Sequence, residues 1–176
     1  QSLMLSREVG FKRDQVNALI GLGKINLEIG KKEKNSQDFN KSLIYFQDAL
    51  KISRESDYKT GESSALTGIG RVYTETGQKD KALTNLTEAL LLAQKYQNKF
   101  QEDICNFYLG VLYEKNGEFD KAIEKYQEAL TLARTIIDKD VEARALKGLM
   151  SVWKANGNNS LAIFYGKQAV NKYQEL

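Results

Sequence analysis

The chain has 176 residues, with no proline, no histidine and one cysteine, and its 26 Lys and Arg against 23 Asp and Glu give a net charge of +3. Without histidine there is no Ser-His-Asp triad, no Cys-His pair and no imidazole metal ligand, and a lone Cys105 supplies neither a zinc cage nor an intramolecular disulfide. No catalytic residue, cofactor or metal is therefore expected.

The charges are interspersed, which argues against nucleic acid as a partner. The longest apolar run, Ala89 to Ala93, is far too short to span a bilayer, and no signal-peptide pattern opens the chain. A lone thiol fits a reducing, cytoplasmic setting.

Proline breaks helix interiors, so its absence together with frequent Ala, Leu, Lys, Glu and Gln predicts an all-α chain. Ala49, Ala89, Ala129 and Ala169 stand 40 residues apart, each followed by an apolar residue. A fixed period of this size is the mark of a repeat array. In chain order, Ser2-Leu3-Met4-Leu5-Ser6-Arg7-Glu8 parallels Ala49-Leu50-Lys51-Ile52-Ser53-Arg54-Glu55, so residues 1–14 read as the end of helix B of a truncated preceding repeat.

Repeat 1 spans 15–61. Its helix A carries Leu19, Leu22, Gly23 and Asn26, and Gly30 reads as the turn before helix B. The spacing to Ser42 implies about seven inserted residues at 31–37, read from their polar composition as an exposed extension of that turn. A docking element is the sharper reading of the same segment.

Repeat 2 (62–101) has Leu66, Ile69, Gly70 and Tyr73 on helix A, a turn at Gly77, and Ala82, Leu86, Ala89 and Leu92 on helix B. Repeat 3 (102–141) matches with Asn106, Leu109, Gly110 and Tyr113, then Gly117, then Ala122, Tyr126, Ala129 and Leu132. Repeat 4 (142–176) has Leu146, Leu149, Met150 and Trp153, a turn at Gly157, and Gly166 where the other helices B place a large residue. Steps of three and four put each set on one helix face, and small residues opposite large ones allow close approach.

Cys105 reads as a small packing residue, and Trp153 as core. The acidic pairs Glu102-Asp103 and Asp140 with Glu142 read as favourable charges at helix N-termini. Both chain ends read as cut, which implies a piece of a longer protein.

Leu109-Gly110, Tyr113, Gly117-Glu118-Phe119, Ala122, Tyr126 and Ala129 resemble the tetratricopeptide signature, in a 40-residue, proline-free form similar to its longer-helix subclass. The segment from Asn159 to Asn171 resembles the closing repeat of bacterial arrays that precede a caspase-like CHAT protease domain. The resemblance implies a right-handed superhelical solenoid of antiparallel helix pairs and a non-catalytic module that binds a protein or peptide, a sensing or regulatory arm of a larger protein. Self-association through the ends, and a peptide-responsive regulator of a bacterial signalling partner, are the alternatives.

By the same resemblance helix A lines a concave groove, and the groove stripe lies one residue beyond the core stripe. It comprises Ile20, Lys24 and Leu27, then Thr67 and Arg71, then Ile104, Phe107 and Val111, then Arg144, Lys147, Ser151 and Lys154. Asn17, Ser64, Thr74 and Glu114 fall on the same line. Three apolar residues rimmed by cations suit a segment with an apolar anchor and acidic flanks. The carboxylate clamp of the family's chaperone cofactors is incomplete in either register: Ile20, Lys24, Gly68, Ile104 and Tyr108, or Thr67, Arg71, Tyr108, Arg144 and Gly148.

Overall fold

The computed structural model describes the backbone of residues 2–175 and the side chains of residues 10–175. Within them lie eight helices and no strand: α1 (Ser2–Glu33), α2 (Ser36–Glu55), α3 (Lys59–Glu75), α4 (Lys79–Lys95), α5 (Lys99–Lys115), α6 (Phe119–Ile136), α7 (Lys139–Ala155) and α8 (Asn159–Gln174). The all-α hairpin architecture is the one expected. The helices fall into two compact units, Gln1–Leu92 and Ala93–Leu176.

In the first unit α1 and α2 form a hairpin and α3 packs on both. Its core joins Val16, Ile20 and Leu27 of α1 to Phe46 and Ala49 of α2 and Ala65, Ile69 and Val72 of α3. Glycines set the spacing: Cβ atoms added at Gly23 and Gly68 would lie 2.8 and 2.4 Å from the Phe46 ring, so the ring occupies the space two side chains would need. On α4, Leu86 fills the equivalent seat beside Gly70. Ser63 Oγ donates to the Ala89 carbonyl at 2.9 Å, tying α3 to the alanine column.

In the second unit α5–α6 and α7–α8 are hairpins, and α7 lies on α5 and α6. Tyr126 is the central large residue, with its ring filling the space beside Gly110 and Gly148. Its hydroxyl donates to Glu114 Oε2 at 2.5 Å. Phe107, Ile123, Leu130, Val141, Leu146 and Leu149 complete this core, and Trp153 is half-buried against it.

Each of the seven turns holds one residue in the left-handed region. Gly77, Gly117 and Gly157, at φ of 73°, 74° and 80°, close the A–B turns of the last three hairpins. The following N–H reaches back across the turn, as from Gln78 to the Tyr73 carbonyl at 2.9 Å, which satisfies carbonyls the helix end would leave orphaned. The B–A turns use Asp57, Gln97 and Ile137, again 40 apart and none of them glycine.

Three expectations need correction. The segment 1–14 is not set off from repeat 1, because α1 runs without a turn from Ser2 to Glu33; Gln1 itself lies outside the described residues. Gly30 is not a turn residue: it sits inside α1, where its missing side chain admits the Phe39 ring, 3.1 Å from an added Cβ. The inserted residues therefore form no exposed loop. They lengthen α1 and advance the start of α2, leaving Lys34 and Asn35 as the turn, with Lys34 at φ 53° and the Asn35 side chain capping Gln37 N–H.

Ion pairs recur with the period. Arg54 on α2 reaches Glu62 of α3 at 2.9 Å and Glu88 of α4 at 2.7 Å. Arg134 on α6 reaches Glu142 of α7 at 2.9 Å and Gln168 of α8 at 3.0 Å. Burial pushes the Glu62 carboxyl up, but hydrogen bonds from Arg54 and Lys59 outweigh it and hold the group below the usual carboxylate range.

Candidate functional site

Helices α1 and α3 carry the helix-A residues of the first unit, and α1 exposes Phe11, Leu22, Ile25 and Ile29 among its polar residues. Lys24 is exposed. Arg71, largely covered, donates to Glu28 at 2.9 Å. Thr67 is buried, its hydroxyl donating to the Ser63 carbonyl of its own helix. Ile20 and Leu27, expected on the groove, are core residues instead. The reason is geometric: α1 is flanked by both α2 and α3, so its buried arc is wider than one stripe and a rotation of about 100° does not leave it.

In the second unit Phe107 is also buried in the core, contrary to its expected exposure. Ile104 and Val111 are half-buried at the edge of that core. Covering Phe107 is Arg144 of α7, whose guanidinium carbon stands 4.3 Å from the Phe107 ring centroid and 5.3 Å from that of Tyr108. Its Nη1 donates to Asp140 at 2.8 Å and its Nη2 to the Tyr108 hydroxyl at 2.8 Å. Phe107 and Tyr108 meet edge to face, 5.1 Å between centroids. Burial opposes the charge on Arg144, but Tyr108 and Asp140 outweigh it and raise its pKa further.

The result is a planar cation held in one orientation at the joint of α5 and α7, one of the side-chain types enriched at binding hot spots. Lys147 and Ser151 are exposed on the same helix as Arg144. Lys154, placed in the groove stripe by the sequence, instead lines a depression with residues of α8.

Sequence reasoning missed Tyr108 as a partner of Arg144. The signal was present: Gly21, Gly68, Tyr108 and Gly148 share one register, and Tyr108 alone is large. It also misread Asp103, which is no solvated N-terminal charge. α5 begins at Lys99 behind the Asn98 cap, so Asp103 lies a full turn inside, fully buried, with neither carboxylate oxygen hydrogen-bonded. Burial, reinforced by the Asp138 carboxylate, pushes its carboxyl up to about 7. Glu102, largely buried as well, is paired with Lys99 at 2.7 Å. Cys105 is buried, as expected of a packing residue.

Among the described residues no group of three or more Cys, Asp or Glu is placed to hold a metal ion, and no helix is long and apolar enough to cross a membrane. Antiparallel helix pairs in fixed register, with bulky side chains seated on glycines of the neighbouring helix, define an α-helical repeat protein. Family models described as Tetratricopeptide repeat match residues 35–95 and 104–136, so the chain carries tetratricopeptide repeats.

Two solved structures share the fold. BtubC (BKLC) from P. vanneervenii superposes with a TM-score of 0.71 at 18% identity, over 91% of this chain and 65% of that one. The apo form of RapI gives 0.70 at 16% identity, over 90% of this chain and 44% of that one. This chain thus spans less than two thirds of the length of either, and at such identities the likeness is one of fold. No curated protein matches it in sequence.

Proposed function

We propose that the chain is a non-catalytic protein-interaction module that binds a segment of a partner protein on the α5–α7 face of the second unit. The observation that carries this reading is the pre-ordered Arg144, stacked on Phe107 and fixed by Tyr108 and Asp140. A side chain already held in place loses little entropy when a partner arrives, which favours affinity. Half-buried Ile104 and Val111 offer apolar contact beside it, and exposed Lys147 favours acidic flanks on the bound segment. A sensing or regulatory arm of a larger protein is the setting this reading fits.

Affinity capture with wild type and with Lys147→Glu combined with Val111→Ala as baits tests the assignment. Partners held by the wild type are expected to fall by about tenfold on the variant, since reversing one interfacial charge costs on the order of 1–3 kcal/mol. Matched helical circular dichroism guards against misfolding. An unchanged set of partners on the folded variant removes this face as the binding surface.

A further inference from the structure

We infer that the Asn156-Gly157 pair, in the turn between α7 and α8, is a site of spontaneous covalent modification: deamidation through a succinimide to aspartyl and isoaspartyl forms. The sister pair Asn116-Gly117, between α5 and α6, is protected by the fold. This reading does not depend on the α5–α7 binding face.

Asparagine is among the thermolabile residues, and it is most open to attack by its own backbone when glycine follows, because no Cβ shields the next nitrogen. The Gly157 nitrogen bonds to Asn156 Cγ, the Cγ–Nδ2 bond breaks, and the amide proton leaves with Nδ2 as ammonia. Water then opens the ring. Addition at Cγ restores the original backbone with an aspartyl side chain, and addition at the main-chain carbonyl carbon leaves an isoaspartyl link that runs through Cγ. The sequence contains this dipeptide twice, 40 residues apart, and the first two A–B turns lack it.

Backbone geometry does not separate the two pairs. Asn116 and Asn156 both sit at ψ 4°, and the N–H groups of Gly117 and Gly157 donate to the Glu114 and Lys154 carbonyls at 3.0 and 3.1 Å. In either case the turn must open locally before the ring can close. What differs is how each turn is fastened. The Asn116 amide donates to the Leu112 carbonyl at 2.7 Å, which holds Nδ2 back along α5. Phe119 packs on the core two residues past Gly117, and Lys121 pairs with Glu118 at 2.7 Å while lying over the Tyr113 ring.

The turn at Asn156 has none of these fastenings. Asn156 is exposed and its side chain makes no hydrogen bond among the described residues, while Asn159 and Leu161 stand where Phe119 and Lys121 stand one repeat earlier. The adjoining Asn158 is held instead, its amide oxygen accepting from Leu161 N–H at 3.1 Å. Either product places a carboxylate at the C-terminal end of α7, where the helix dipole disfavours an anion. The isoaspartyl form also adds a main-chain methylene to a turn closed by the Asn158 N–H on the Trp153 carbonyl at 2.9 Å.

In the test, folded protein is incubated at mildly alkaline pH in heavy-oxygen water and digested with trypsin in ordinary water, so that the label marks conversion preceding digestion. Tandem mass spectrometry follows peptides 116–121 and 155–167. Conversion at Asn156 is expected to run at least about fivefold faster than at Asn116, the factor that one hydrogen bond of ordinary net strength commands. In denaturing urea the two rates are expected to converge. Asn156→Thr, the residue type that Thr76 supplies at this place in repeat 2, is expected to abolish labelling of peptide 155–167.

Equal rates in the folded protein, or a ratio that survives in urea, overturns the proposal. So does label found at Asn158 or Asn159 in place of Asn156, or a folded Asn156 that stays unconverted while the urea-unfolded chain converts.

Discussion

Gly148→Ala isolates the packing of the second unit in a single methyl group. In an α-helix interior the change from glycine to alanine favours folding by about 0.8–1 kcal/mol through backbone entropy alone. Here the added Cβ would lie 2.6 Å from Tyr126 Cζ and 2.8 Å from both Cε atoms. The ring has nowhere to retreat. Gly110 backs it equally closely, the hydroxyl is tied to Glu114, and the Phe107 ring centroid lies 5.7 Å away. Overpacking of a tight core costs about 1–3 kcal/mol, to which lost ring placement adds, so the net effect is a destabilisation of about 1–2 kcal/mol.

Tyr126→Leu supplies the control, because Leu86 shows that leucine serves at the equivalent position beside Gly70. In that background Gly148→Ala recovers its helical advantage, and the double-mutant cycle yields a coupling of about 2 kcal/mol. Urea denaturation followed by far-UV circular dichroism measures all four proteins. If Gly148→Ala alone stabilised the chain and the cycle closed additively, the account of glycine as a seat for the ring would be refuted.

Three further predictions rest on other features. Folding raises the Asp103 pKa from 3.8 to about 7, so the folded chain takes up a proton between these values. Stability is therefore full below about pH 4 and falls as pH rises to about 7, by on the order of a few kcal/mol; Asp103→Asn should flatten that slope in urea titrations at stepped pH, and an unchanged slope counts against the buried carboxyl. Ile137, an exposed β-branched residue at φ 62°, occupies a conformation costing an L-residue about 1–2 kcal/mol, so Ile137→Gly should raise the urea midpoint; a lowered midpoint would contradict the strained turn. Arg54→Ala should cost under about 1 kcal/mol despite its two short ion pairs, because the side chain is half-exposed, and the loss should shrink in salt. A larger, salt-independent loss in the same titration would mean its packing, not its charge, matters.

Much of the hairpin order was legible because it rests on periodic residue types. The alanine column and the glycine turns at 77, 117 and 157 leave a signal that needs no tertiary knowledge. The B–A turns at 57, 97 and 137 adopt the same left-handed geometry with Asp, Gln and Ile, so composition gave no hint of them. Gly30 misled for the converse reason: a glycine marks either a turn or a close approach, and only the position of Phe39 decides which. The stripe meant for the groove failed at Ile20, Leu27, Thr67 and Phe107 because a helix packed on two sides buries more than one face. Arg144 was singled out as a cation, but its stacking on Phe107 and its bond to Tyr108 depend on α5 and α7 lying side by side.

The chain's only thiol and only indole both belong to the second unit, Cys105 buried on α5 and Trp153 half-buried on α7. Thiol-labelling kinetics and intrinsic tryptophan emission therefore watch that unit and are blind to the first, in the unmodified protein. A denaturation curve read by emission alone could look simple while the α1–α3 cluster melted unseen. Where the emission and circular dichroism midpoints separate, the interval between them measures how independently the two halves of the array unfold.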